Sequence, residues 1–163
     1  MEILVLFGLP GAGKTFVGEL LQKNFGYYLH DGDLDLPPNM LEAIQKRAIV
    51  TDSMRDVFFV KLIKSVQKLQ KHTEKLVISQ TFIKEKYREA FLAAFPESTF
   101  FLIETQELIR EQRLQKRKKF PLDLVYAKKM VRSFEPSTLS YIAITNNSDG
   151  EEALKKQLLR VLK

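Results

Sequence analysis

Five short apolar runs punctuate the chain: EILVLF (2–7), YYLH (27–30), KLVIS (75–79), TFFLIE (99–104) and YIAIT (141–145). The first lacks polar alternation, as expected of a strand buried on both faces in a parallel sheet. Helical spacing fills the intervals. Residues 15–25 place Phe16, Leu20, Leu21 and Phe25 on one stripe, with Gly26 as the stop. Pro37 and Pro38 break the chain before a short helix around 39–47. Thr51 or Asp52 can cap a helix reaching about Lys71, with Phe58, Leu62, Val66 and Leu69 inward. Residues 84–95 read as helical up to Pro96. Thr105 opens a helix that runs into RLQKRKK (113–119), and 122–133 is helical again. The last helix starts at SDGE, where Ser148 as N-cap and Glu151 form a capping box; Leu154, Leu158, Val161 and Leu162 face inward. Without repeat, linker or low-complexity tract, 1–163 reads as one domain. Strand–helix alternation predicts an α/β fold, a parallel sheet with helices on both faces.

Composition adds little to that frame. Of 163 residues, 45% are hydrophobic and 28% charged, an ordinary globular balance. The absence of cysteine excludes disulfides and Cys-based metal sites. The apolar run 3–7 is too short for a signal core or a membrane span, and no basic segment precedes it, so the expectation is a soluble, cytoplasmic protein. Lys and Arg outnumber Asp and Glu by 26 to 20, which favours anionic partners. Nucleotides, small acids and nucleic acids all qualify.

The first strand leads into GLPGAGKT (8–15), which satisfies G-x-x-x-x-G-K-[ST] at every fixed position. Gly8, Gly11 and Gly13, with Ala12 between the last two, let successive N–H groups turn toward phosphate oxygens. The helix beginning at Thr15 and Phe16 adds its positive end. Lys14 would reach the β- and γ-phosphates, and the Thr15 hydroxyl would ligate Mg²⁺. Its place between strand and helix is the context this motif requires.

Four further clusters bear on what receives the phosphate. Asp31 and Asp33 end the second strand, where doubly wound sheets place ligands. One can take the proton of an attacking hydroxyl and the other can bind Mg²⁺; a solvated Asp-Gly turn is the plain alternative. Arg55, one turn into a helix after a capping acid, suits capture of a carboxylate, although many such arginines are simply exposed. Lys84 and Arg88 share a helical face, as do Arg113 and Arg117. The latter pair sits where a lid at about 110–125 could close over phosphates; a nucleic-acid-binding or merely solvated run is the other reading. No aromatic residue interleaves that cluster, which makes nucleic acid a poor partner. His30 and His72 read as ordinary residues, and Phe58 and Phe59 as core.

Together these segments resemble the small gluconate kinases, within the group that includes the shikimate and nucleoside monophosphate kinases. The similarity runs to about Glu135. DGDLDLP and TDSMR match the family's D-G-D-x-x-H-P and T-D-x-x-R at the same separation. TFIKEKYR is similar to S-A-L-K-x-x-Y-R, giving Lys84, Tyr87 and Arg88; RLQKR is similar to the R-L-x-x-R lid, giving Arg113 and Arg117; SFE (133–135) stands for Q-F-E. The resemblance implies a three-layer P-loop NTPase fold with strand order 2-3-1-4-5, an acceptor region at about 31–71 and a small helical lid. It implies ATP and Mg²⁺, with Thr15 and Asp31 at the metal, and a sugar-acid acceptor phosphorylated on a hydroxyl. It implies Asp31 or Asp33 as base, Arg55, Lys84 and Arg88 as grips on the acceptor, and the lid arginines on the nucleotide. It leaves monomer or homodimer open. Asn146 and Asn147 would lie near the adenine.

The departures concentrate around the acceptor. Leu36 stands for the family's His, RAI (47–49) for Gly-x-Pro, DVFF (56–59) for W-P-W-L, Thr81-Phe82 for Ser-Ala and KFP (119–121) for Gly-His-Phe. The expectation is therefore a small-molecule kinase, gluconate first. The rivals are a shikimate-like or nucleotide kinase, a kinase of nucleic acid ends, a degenerate kinase, and a regulatory nucleotide-binding protein without phosphotransfer. ISQTF (78–82) lacks the Gly-Gly pair of a shikimate site, and no N-K-x-D guanine motif occurs.

Overall fold

The computed structural model describes residues 1–117 and 123–162. Its elements run β1 (Glu2–Phe7), α1 (Lys14–Phe25), β2 (Tyr28–Asp31), α2 (Pro38–Gln45), α3 (Asp52–Leu69), β3 (Lys75–Ser79), α4 (Glu85–Ala94), β4 (Thr99–Glu104), α5 (Glu107–Lys116), α6 (Leu124–Ser133), β5 (Tyr141–Thr145) and α7 (Glu152–Val161). The five strands form one sheet in the order β2-β3-β1-β4-β5, and every pairing is parallel. Because β1 is central, its side chains are buried on both faces, which is why its sequence does not alternate.

Each face of the sheet has its own core. Val17, Leu20 and Leu21 of α1 and Leu154 and Leu158 of α7 cover one face, against Leu4, Leu6, Val77, Phe101 and Ile144. Residues of α2, α3 and α4 cover the other, where Phe58, Phe59, Phe82, Phe91 and Phe100 meet Ile3, Val5 and Ile78. No described helix is long and apolar enough to cross a membrane.

Several boundaries follow the local chemistry. Pro38 takes the first turn of α2, where its missing N–H costs nothing. The Thr51 hydroxyl caps α3 by accepting from the Met54 N–H at 3.2 Å. Asp123 caps α6 in the same way through the Tyr126 N–H at 2.9 Å. Two expected starts are corrected. Thr105 does not open α5, which begins at Glu107; its hydroxyl is used instead on the loop after β1. Ser148 does not cap α7, and no side chain does: the helix starts at Glu152, and the Ser148 carbonyl accepts from Arg113 Nη2 at 3.3 Å.

Candidate active site

Parallel strands bring all their carboxyl ends to one edge, and the chain leaves β1 there between neighbours reached by connections in opposite directions. The loop 8–13 crosses this edge and delivers α1. Gly13 has φ +86, a left-handed conformation. A Cβ there would lie 2.3 Å from Asn146 Nδ2. Gly8 approaches β4 so closely that a Cβ would lie 2.6 Å from the Ile103 carbonyl oxygen. A Gly13→Ala variant should therefore fold but bind Mg·ADP at least about tenfold more weakly, as read by titration calorimetry.

The loop is held from behind by three side chains. The Ala12 carbonyl accepts from Asn146 Nδ2 at 2.8 Å and from the Thr105 hydroxyl at 3.0 Å. Arg113 Nη1 lies 3.4 Å from the same oxygen and 3.5 Å from that of Gly11. Asn146 is buried, and its Oδ1 has no hydrogen-bond partner among the described residues. Neither Thr105 nor Asn146 carries a local signature in sequence, since each acts across the sheet edge. Asn147 accepts from the Gln106 N–H at 2.8 Å, tying the two loops together.

In front of the loop, Lys14 Nζ donates to the carbonyls of Gly8 and Leu9 at 3.0 Å each. Burial pulls its pKa down to about 8; Asp33 and Asp31 oppose that fall, and Arg117 and Arg110 add to it. The Thr15 hydroxyl lies 3.4 Å from the Ser79 hydroxyl, which ends β3. Asp31 pairs in register with Ser79 on the adjacent strand. Burial raises the Asp31 carboxyl above its usual range, the nearby Asp33 raises it further, and the Asp33 N–H, 3.0 Å away, works against both. A partly buried carboxylate beside two hydroxyls offers the hard oxygens that Mg²⁺ prefers. Among the described residues no group of three or more acidic, His or Cys side chains converges, so the remaining positions would fall to phosphate and water, as is usual for this ion.

Asp33 accepts from Gln80 Nε2 at 3.1 Å. The turn that carries both acids is braced from below. His30 Nε2 and Asp35 Oδ2 are 2.6 Å apart, and the Ser65 hydroxyl donates to Asp35 Oδ1, also at 2.6 Å. Asp35 and Gln80 escaped sequence reasoning: one looked like another acid in a turn, and the other had no partner within its own segment.

A cleft of about 700 Å³ joins these groups. Gly11, Gly13, Lys14, Thr15, Asp31, Asp33, Arg55, Arg113 and Arg117 all line it. Arg55 is anchored through Nη1, 3.0 Å from the Val50 carbonyl and 3.5 Å from Asp52. Five expected residues are not among its lining: Gly8 and Ala12, whose contacts within the loop are given above, and three others. Phe16 packs its side chain against the α1 core. Lys84 pairs at 2.8 Å with Asp52, the acid that Arg55 also approaches. Arg88 is fully buried: its Nε donates to the Phe82 carbonyl at 2.8 Å, and its guanidinium stacks on Phe7 and Phe134. Phe82 has φ +48, an unfavourable conformation for a bulky residue, and Arg88 fastens that turn. Arg88 was expected as a grip on the acceptor; the structure makes it a strut under the cleft wall. Within the expected lid, 118–122 lie outside the described residues, including all of KFP.

Removing the Arg88 side chain would leave the Glu85 carboxylate and the Phe82 carbonyl without their main partner in a buried site. Arg88→Ala should cost about 3–5 kcal/mol, roughly 10 °C or more in melting temperature. A variant that melts like the wild type would return Arg88 to the acceptor.

Comparison with solved structures agrees with this architecture. A sugar kinase from Janibacter sp. HTCC2649 matches with a TM-score of 0.83 at 17% identity, covering 98% of this chain and 93% of that one. A gluconokinase from Sinorhizobium meliloti 1021 matches at 0.77 and 20% identity, covering 99% and 95%. The Mycobacterium tuberculosis APS kinase CysC, solved with AMPPNP and APS, matches at 0.69 and 15% identity, covering 99% and 96%. At such identities the likeness shows the fold, the three-layer P-loop arrangement expected from the sequence. No curated protein sequence matches the chain. A model of the AAA domain family does match, over residues 4–129, from β1 through the glycine-rich loop and the cleft into α6. The chain belongs to the AAA domain family.

Proposed function

We propose that this protein is a kinase that moves the γ-phosphoryl group of ATP to a hydroxyl of a small acidic metabolite. One observation carries the reading: Lys14 and Thr15 of the glycine-rich loop, the acids Asp31 and Asp33, and the anchored guanidinium of Arg55 line a single cleft. A nucleotide-binding protein without phosphotransfer could use Asp31 for Mg²⁺ but has no use for Asp33 and Arg55. The kinases among the similar folds support the reading, and the sugar kinase and gluconokinase bring gluconate and related sugar acids among the acceptors to try. The chain would act as one domain, with the acceptor region at 31–71 and α5 as the base of the lid.

Each residue then has a task. The loop amides and Lys14 hold the β- and γ-phosphates. Arg55 takes the acceptor's carboxylate and orients its alcohol. The hydroxyl oxygen forms a bond to the γ-phosphorus as the bond to the β,γ-bridging oxygen breaks; the proton passes to Asp33 and ADP leaves. Arg113 and Arg117 lie on the nucleotide side, where positive charge stabilises the transferring group. Bound at Thr15 and Asp31, Mg²⁺ would neutralise phosphate charge.

The test is ADP release from Mg·ATP with gluconate, related sugar acids, shikimate, neutral sugars, nucleoside monophosphates and a short oligonucleotide. One small acid should stimulate release strongly. Binding of Mg·ATP with no acceptor-dependent release would sink the kinase reading in favour of a nucleotide-binding switch.

A further inference from the structure

We infer that the acceptor is an alcohol with one acidic group on an otherwise apolar body, an aromatic or alicyclic hydroxy acid rather than a polyhydroxylated sugar acid. This rests on the kinase reading and narrows its substrate class.

The inference comes from the apolar part of the cleft wall. Leu36, Met40, Val50, Phe59, Phe82 and Met130 line it, drawn from five separate segments. Phe82 is fully buried and Phe59 nearly so, and the two rings lie 5.1 Å apart, so this wall is fixed by core packing. Away from the loop, α1 and the lid arginines Arg113 and Arg117, the charged side chains that the described residues contribute are Asp31, which the proposed function gives to Mg²⁺, Asp33 and Arg55. Gln80, the other polar group near Asp33, is committed at both ends: Nε2 to Asp33 at 3.1 Å and Oε1 to the Thr81 N–H at 2.7 Å.

A sugar acid such as gluconate carries a hydroxyl on every carbon but the carboxyl one. Each would leave water on entering this cleft, and each needs a partner to offset that loss. The six side chains named above offer carbon, and the Thr81 and Tyr126 hydroxyls that also line the cleft are too few for five hydroxyl groups. An apolar ring gains there by the same contacts that a polyol forfeits. The two polar fixtures suit the two ends of a simple hydroxy acid: Asp33 for the reacting hydroxyl and Arg55 for the carboxylate. Sequence departures fall on the same wall. Leu36, in place of the resembling pattern's His, and Phe59, within DVFF, both line it.

The experiment is titration calorimetry of the full chain, preloaded with Mg·ADP, with 3-(hydroxymethyl)benzoate, benzyl alcohol and gluconate, paired with ADP release from Mg·ATP. The benzoate should bind at least tenfold tighter than gluconate, and Arg55→Gln, checked for an unchanged melting curve, should erase at least tenfold of its affinity. Gluconate binding as tightly as the benzoate, or no binding by the benzoate at millimolar concentration, overturns the inference; gluconate-dependent ADP release would then leave the kinase reading standing. Arg55-dependent benzoate binding without ADP release from any acceptor would do the reverse, keeping the apolar acid site and removing the kinase.

Discussion

Lys14→Ala yields a folded protein that binds nucleotide weakly and transfers phosphoryl groups at least about a thousandfold more slowly. The fold survives because Lys14 bonds to its own loop and to no core residue. Stability should not fall near pH 7, and the reason is electrostatic. In an unfolded chain the ammonium titrates near 10.5; in the folded protein burial brings it to about 8. The folded state therefore holds this proton less tightly. The charged lysine opposes folding below about pH 8, and that opposition fades between 8 and 10.5. Alanine removes it, so at pH 7 the variant should melt at or above the wild-type temperature. The same titration predicts that wild-type affinity for Mg·ADP weakens as pH rises through about 8, while the variant's weak binding lacks that dependence. A variant that unfolds at 25 °C would show that Lys14 is structural.

Asp33→Asn should lose about 10²–10⁴ in turnover, the usual worth of a positioned base, with nucleotide affinity little changed. Asparagine keeps an oxygen for Gln80 Nε2, so the bond at 3.1 Å has a substitute and the turn should hold. Loss of the Asp33 charge also relieves Asp31 of one influence that raises its pKa. Asp31 should then ionise more readily, and any residual activity should extend to lower pH. Near-normal turnover in the variant would make Asp31 the base, or show that no base is needed.

The strands were legible because each is a short apolar run between helical patterns, and β3, β4 and β5 fall where their runs do. The glycine-rich loop was legible because its chemistry is local: consecutive amides, one lysine and one hydroxyl. The supports of the site were not. Thr105 and Asn146 reach Ala12 across 93 and 134 residues, so no window along the chain contains both partners. Thr105 read as a helix start because hydroxyls often cap helices, and here a tertiary contact claimed it. Arg88 was misplaced for the opposite reason. Its spacing from Lys84 put both on one helical face, but Lys84 precedes α4 and stays partly exposed, whereas Phe7 and Phe134, distant in sequence, close over the Arg88 guanidinium.

The brace behind the glycine-rich loop bears on how the protein folds. The loop follows the first strand, yet Ala12 is fastened by a residue that directly follows the last one, and β5 joins the sheet only at the edge of β4. Contacts so distant in sequence form late and slowly. The glycine-rich loop thus takes its final support only when the whole sheet is in place, although the loop itself lies near the start of the chain. A partly folded chain would retain the motif without its holding geometry. Nucleotide, binding the finished sheet far better than any precursor, would draw the folding equilibrium toward completion by mass action.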